Sequence, residues 1–203
     1  MISKETIEKL IKLIEELTKD HPKGDDSHGK EHHLRVYAYA ILICISLSAS
    51  ERLSDMALIS ALIHDLIDPK YPNVEEKKKV LIAFLESAYP DLKTSILWII
   101  ENMSYSKEVK FGRPTHPDPE VLLARNIVSD ADKLDALGID GIERCQKYTK
   151  GAHPELTDKE LLDEVKKHCH EKLLRLKDHF IVTPKGKSLA EEKHDYILRF
   201  VSF

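Results

Sequence analysis

The chain lacks a cysteine framework. Its three cysteines, Cys44, Cys145 and Cys169, are odd in number and widely spaced, with no CxxC pair. That excludes a disulfide scaffold and a closed structural zinc knot. Cys44 and Cys145 fall in apolar helical stretches and read as packing residues. Long apolar runs are missing too: the longest, Ala38 to Leu47, is too short to cross a bilayer. There is no excess of one charge, since 35 acidic residues face 31 basic ones for a formal net charge of −4. Such a balance supplies no bulk attraction to nucleic acid or to an acidic membrane. The basic run Lys77-Lys78-Lys79 stands beside Glu75-Glu76 and reads as a solvated face. A phosphate-bearing ligand would therefore need a local cluster of cations. Strand-like alternation, internal repeats and low-complexity segments are absent. The N-terminal stretch is charged and amphipathic, which predicts a helix and no signal peptide. A reducing, cytoplasmic compartment is expected.

What is present is helical period almost throughout. With 203 residues, 42% of them hydrophobic, the chain can bury one sizeable core, and a single domain over residues 1–203 is expected. Ile7, Leu10, Ile11, Ile14 and Leu17 follow the i, i+3, i+4, i+7 rule of an amphipathic helix. Residues 21–29 hold Pro22, Gly24 and Gly29 and read as a loop. A second helix is expected over about 31–49. Ser54 is expected to cap a third over about 55–67, apolar nearly all round and so buried. Further helices are expected over about 74–88 and 91–103. Residues 104–119, with Gly112, Pro114, Pro117 and Pro119, read as the longest irregular segment. Asp118-Pro119 is a cap followed by a first-turn proline, opening a helix that ends near Gly138. A shorter helix is expected over 139–148. Thr157-Asp158-Lys159-Glu160 is a capping box opening a helix to about His179. Thr183-Pro184 is placed to open the last helix, with Gly186 able to delay its start. The expected fold is an all-α, multi-helix bundle.

Three separated groups carry chemistry. His64-Asp65 closes the buried run Met56 to Ile63 and delivers an imidazole and a carboxylate about 100° apart, able to clasp one ion between them. Equally, His64 can help cap the helix end while Asp65 opens the turn. His32, four residues after His28, sits where the chain changes abruptly to Leu34, Val36 and Tyr37. Taken alone, His28, His32 and His33 read as a solvated polar cluster. Asp130, Asp132 and Asp135 put three carboxylates within six residues after Leu122, Leu123, Ala124, Ile127 and Val128, and such a cluster needs cations nearby. Lys133 is one, and a metal would be another; a charged helix end is the bland reading. Together, imidazoles and carboxylates without a thiolate select one divalent ion of the Mn, Fe, Co, Ni or Mg type.

The order His32, His64-Asp65, Asp132 resembles the HD-domain superfamily of metal-dependent phosphohydrolases, and several blocks resemble its small stand-alone, nucleotide pyrophosphohydrolase-like members. Residues 27–36, from Ser27-His28 through His32 to Arg35-Val36, look like the block S-H-D-x-x-H-x-x-R-V. Residues 61–71, with His64-Asp65, Asp68 and Lys70-Tyr71, are similar to L-L-H-D-x-x-D-x-K-[FY]. Residues 99–105 resemble I-I-x-x-I-S-[FY], and residues 130–138 match D-A-D-[RK]-L-D-A-x-G. Residues 172–178 and 189–194 also look familial, so the likeness spans nearly the whole chain. Gly29 stands where the family often has Asp, and residues 106–118 are individual. If that segment covers the site, substrate choice would differ from that of relatives.

The resemblance implies a multi-helix HD-domain bundle in which His32, His64, Asp65 and Asp132 ligate one divalent metal. Asp132, directly before the basic residue, is taken over Asp130, which would orient a ligand or a water. It implies that Asp68, one helical turn beyond His64, accepts the proton of the attacking water. Lys133 reaches the phosphate charge, with Lys70 a second candidate and Arg35 a third; Arg35 can equally pair with the acidic cluster. His28 donates to the leaving phosphate or stands outside the ligands. The implied substrate is a small phosphorylated molecule, a nucleotide, split at a phosphoester or phosphoanhydride bond. The most specific version takes a nucleoside triphosphate to monophosphate and pyrophosphate. A nucleoside monophosphatase or an alarmone hydrolase is the near alternative. A catalytically silent metal-binding module and a two-iron oxygenase are the distant ones. No nucleic-acid or membrane partner is implied, and a homodimer is allowed.

Overall fold

The structure, a computed structural model, describes residues 2–19, 29–69 and 72–203. Every regular element among them is helical, and no helix among them is long and apolar enough to cross a membrane. The chain divides into two compact units, residues 1–129 and 130–203.

The first unit holds α1 (Lys4–Thr18), α2 (Lys30–Ser46), α3 (Glu51–Ile63), α4 (Val74–Ala88), α5 (Lys93–Asn102), α6 (Tyr105–Phe111) and most of α7 (Pro119–Asp135). Its centre is α3, where every residue from Met56 to Ile63 is buried. No polar face exists to leave outside, so the helix is enclosed. α2 and α5 pack on it, α1 lies against α2 and α3, and α4 lies on α5. Leu10, Ile14, Ile59, Leu62, Ile63, Leu81, Leu85 and Ile96 form the shared core.

Sequence and structure part company in four places here. α3 opens at Ser50, whose hydroxyl accepts the Leu53 N–H at 3.1 Å, so Ser54 is an interior, buried residue. Ser50 wins because its hydroxyl also donates to Glu120 at 2.7 Å. α3 ends at Ile63, and residues 64–67 continue as turns. The irregular segment contains a helix, α6, which Gly112 closes with φ +80°, a conformation costly for any residue with a Cβ. The lysine run is not wholly solvated: Lys77 is buried, while Lys78 pairs with Glu101 at 2.8 Å.

α7 starts as expected, with Asp118 Oδ1 accepting the Glu120 N–H at 2.9 Å. The second unit contains the end of α7, then α8 (Gly138–Ala152), α9 (Asp158–His168), two π-helical stretches (Cys169–Leu173 and Leu176–Phe180) and α10 (Pro184–Ser202). The capping box at Thr157 and Glu160 is complete. The helix it opens stops at His168, because the π turns that follow shift the bonding from i−4 to i−5. Gly186 does not delay α10, which begins at Pro184 with the Thr183 hydroxyl accepting the Gly186 N–H at 3.0 Å. α8 packs on α9 and α10, and α10 also meets both π stretches.

Candidate metal centre

α2 begins at Gly29, whose backbone oxygen accepts from His32 N at 3.0 Å. That first turn carries His32 and His33 inward, and both are fully buried, so they are not the solvated cluster that their polar neighbours suggest. α3 ends against them. His64 occupies its C-cap, with the ring buried and Nδ1 2.9 Å from the Ala61 carbonyl oxygen. A carbonyl only accepts, so Nδ1 donates to it. The other ring nitrogen faces inward: His64 Nε2 lies 3.1 Å from His32 Nε2, a hydrogen-bonding distance. Asp65 Oδ2 lies 3.6 Å from His32 Nε2 and 3.5 Å from His64 Nε2.

Donor atoms held about 2.1 Å from one cation at right angles are about 3.0 Å from each other. The imidazole and carboxylate spacings are of this order, so the residues fit a shared ion. Outside the pair, His33 packs its ring 5.1 Å from His64 and 5.7 Å from His32. Burial, then the adjacent His64, push the His33 pKa well below the usual imidazole value, so it is held neutral. Asp132, the further ligand that the sequence suggests, belongs to the second unit.

Two of the three carboxylates at the end of α7 take different partners. Asp135 pairs with Arg144 Nη1 at 2.6 Å. Asp130 is fully buried and accepts from the backbone N–H of Val182 at 3.0 Å and of Thr183 at 2.7 Å. Its oxygens are thus held by the backbone at the head of α10. Asp132 is half-buried and Lys133 buried beside it. Asp68 is half-buried in the turns after α3, its N–H bonded to Asp65 O at 3.2 Å, not on a further turn of that helix. Arg35 is half-buried on α2. His28 and Lys70 lie outside the described residues.

Sequence reasoning missed a second stripe on α7. Arg125 and Ser129 precede Asp132 by seven and three residues, which puts all three on one helix face. Arg125 Nε donates to Asn102 O at 2.9 Å and Ser129 Oγ to Met103 O at 3.2 Å, so both grip the C-terminal end of α5. Arg125 Nη2 also meets Glu108 of α6 at 2.9 Å, a pair with side chains 1% and 3% exposed. The signal was available: an arginine standing inside the apolar run from Val121 to Val128.

The HD domain family matches residues 29–137. YpgQ, an uncharacterized protein of Bacillus subtilis, is 30% identical over 201 residues, covering 96% of this chain and 89% of YpgQ. A Lactobacillus plantarum crystal structure aligns with TM-score 0.76 at 25% identity, covering 100% of this chain and 96% of that one. An HD-superfamily hydrolase of Bacillus thuringiensis aligns with TM-score 0.70 at 28% identity, covering 98% of this chain and 94% of its own. The structure of Bacillus subtilis YpgQ in complex with ADP aligns with TM-score 0.68 at 25% identity, covering 96% and 93%.

Proposed function

Since the chain belongs to the HD-domain family of metal-dependent phosphohydrolases, we propose that it hydrolyses a phosphoester or phosphoanhydride bond of a nucleotide. The specific version is a nucleoside triphosphate split between its α and β phosphates, where water adds and monophosphate and pyrophosphate leave. The observation that carries the reading is the 3.1 Å approach of the His32 and His64 Nε2 atoms inside a buried pocket of donors. Two buried imidazole nitrogens that face each other, with a carboxylate beside them, are placed to share a cation. The complex of YpgQ with ADP supports the nucleotide class.

His32, His64, Asp65 and Asp132 would hold the divalent ion. When bound, it supplies a lowered water pKa and charge neutralisation at the phosphoryl oxygen. Ala61 O fixes the His64 tautomer, and Asp65 contributes negative charge beside both rings. Asp68 is assigned the proton of the attacking water, and Lys133 the phosphate charge. His28 and Lys70 keep their proposed roles at the leaving group and the phosphate. We propose further that residues 1–203 act as one HD domain, since α7 runs unbroken through the division at Asp130. A cytoplasmic setting is proposed from three free thiols.

The test is a metal-stripped protein reloaded with Mn, Fe, Co, Ni or Mg. It is assayed against nucleoside triphosphates, monophosphates and a guanosine tetraphosphate, with products identified by chromatography. Monophosphate plus pyrophosphate is expected from triphosphates. A protein that holds the metal yet releases neither phosphate nor pyrophosphate from any of them would reduce the site to a binding module.

A further inference from the structure

Asp130 is a fully buried carboxylate at the end of α7 that stands outside the proposed ligand set. A carboxylate without solvent is costly unless several donors replace its hydration. Here Val182 N lies 3.0 Å from Oδ1, and Thr183 N and Thr183 Oγ1 each lie 2.7 Å from Oδ2. These donors are the head of α10, where the helix dipole adds attraction for an anion. The Thr183 hydroxyl closes the circuit by accepting from Gly186 N at 3.0 Å. The cradle is also too tight for a side chain at position 186. A Cβ there would stand 2.8 Å from Asp130 Oδ2 and 2.7 Å from Thr183 Oγ1, closer than carbon and oxygen approach.

Residues two apart on a helix point about 200° from each other. With Asp130 fastened to α10, Asp132 is therefore turned to the opposite side of α7. We propose that Asp130 is a positioning residue: its bonds to Val182 and Thr183 set the rotation of the last turn of α7, and so the direction in which Asp132 presents its carboxylate. The inference rests on the reading of Asp132 as a metal ligand. A carboxylate roughly 5 Å from a helix axis moves about 1 Å for each 10° of rotation, enough to spoil a coordination distance.

Two variants attack the latch from opposite sides. Asp130→Asn turns an acceptor into a donor facing the Thr183 N–H, and Gly186→Ala pushes on the carboxylate while leaving every polar group in place. Each is checked for native circular dichroism, and Mn²⁺ affinity is read from the paramagnetic resonance of the free ion. Loss of an outer partner weakens metal sites about 10–100-fold, and a tenfold or greater loss is expected in both variants. Turnover should recover at saturating Mn²⁺, because no group touching substrate has changed. A folded variant of either kind that binds Mn²⁺ within twofold of the unaltered protein overturns the inference. If Asp130→Asn does not fold, Gly186→Ala decides alone. An unaltered protein that binds no Mn²⁺ would sink the metal reading itself, a distinct result.

Discussion

Replacing Arg125 by Met should cost more stability than any exposed ion pair in the protein. Its guanidinium meets Glu108 at 2.9 Å, donates to Asn102 O at 2.9 Å and reaches Asn126 Oδ1 at 3.2 Å. Methionine fills most of the volume but leaves the Glu108 carboxylate buried and the end of α5 without its donor. Breaking one side of a buried pair typically costs about 3–5 kcal/mol. Arg113, 3.6 Å from the same carboxylate and 47% exposed, can take over part of the compensation, so the lower end, about 3 kcal/mol, is expected. For a chain of this length that is roughly 6–12 °C in Tm. Glu108→Gln should cost less, because Arg125 keeps its carbonyl and amide partners. The double variant Arg125→Met with Glu108→Leu should then cost less than the sum of the singles, since an apolar replacement of both charges removes the stranded one. Urea unfolding of Arg125→Met, Glu108→Leu and the double variant measures the cycle. A loss below about 1 kcal/mol for Arg125→Met, or a strictly additive double variant, would refute the reasoning that the buried charge dominates.

The remaining expectations concern the metal centre and the thiols. His64→Ala should abolish bound metal and turnover together, whereas Asp68→Asn should keep the metal and lose rate. Elemental analysis beside initial rates separates the two, and wild-type turnover in His64→Ala would remove that histidine from the site. Burial pushes the Cys44 and Cys169 thiols from 9.0 up to about 11. A raised thiol pKa means less thiolate at any neutral pH, here about a hundredfold less than for an ordinary cysteine, with the difference vanishing only above pH 11. Disulfide-exchange reagents at pH 8 should therefore modify both far more slowly in native protein than in urea. Equal rates would show that these sites open freely.

What the sequence makes legible is whatever its neighbours decide. Asp118-Pro119 and the box from Thr157 to Glu160 sit where expected because a cap needs only residues two or three positions away. α6 could not be read that way. Its surroundings hold Gly112 and three prolines, and its inward residue, Glu108, is buried against an arginine 17 positions on. Ser50 and Ser54 compete for the same start, and the choice falls to Glu120, on another helix. The π turns after His168 break the 3.6-residue period without any residue that announces it. The role of Asp130 is equally remote, since its donors stand more than fifty positions away at the head of α10.

At His64 the capping reading and the proposed ligand reading are compatible. A helix end leaves carbonyls unpaired, and a ring at the C-cap can satisfy one of them. His64 does this with Nδ1 on Ala61 O. The same bond turns Nε2 toward His32. On the proposed reading, capping is thus what presents this nitrogen to the ion. Asp130 repeats the logic on α7: a carboxylate spent on backbone donors, two residues from the one proposed for the ion. A catalytic ion needs ligands that do not rotate. Helix ends supply unpaired backbone groups that hold side chains still, which is why the proposed ligands stand where helices start and stop.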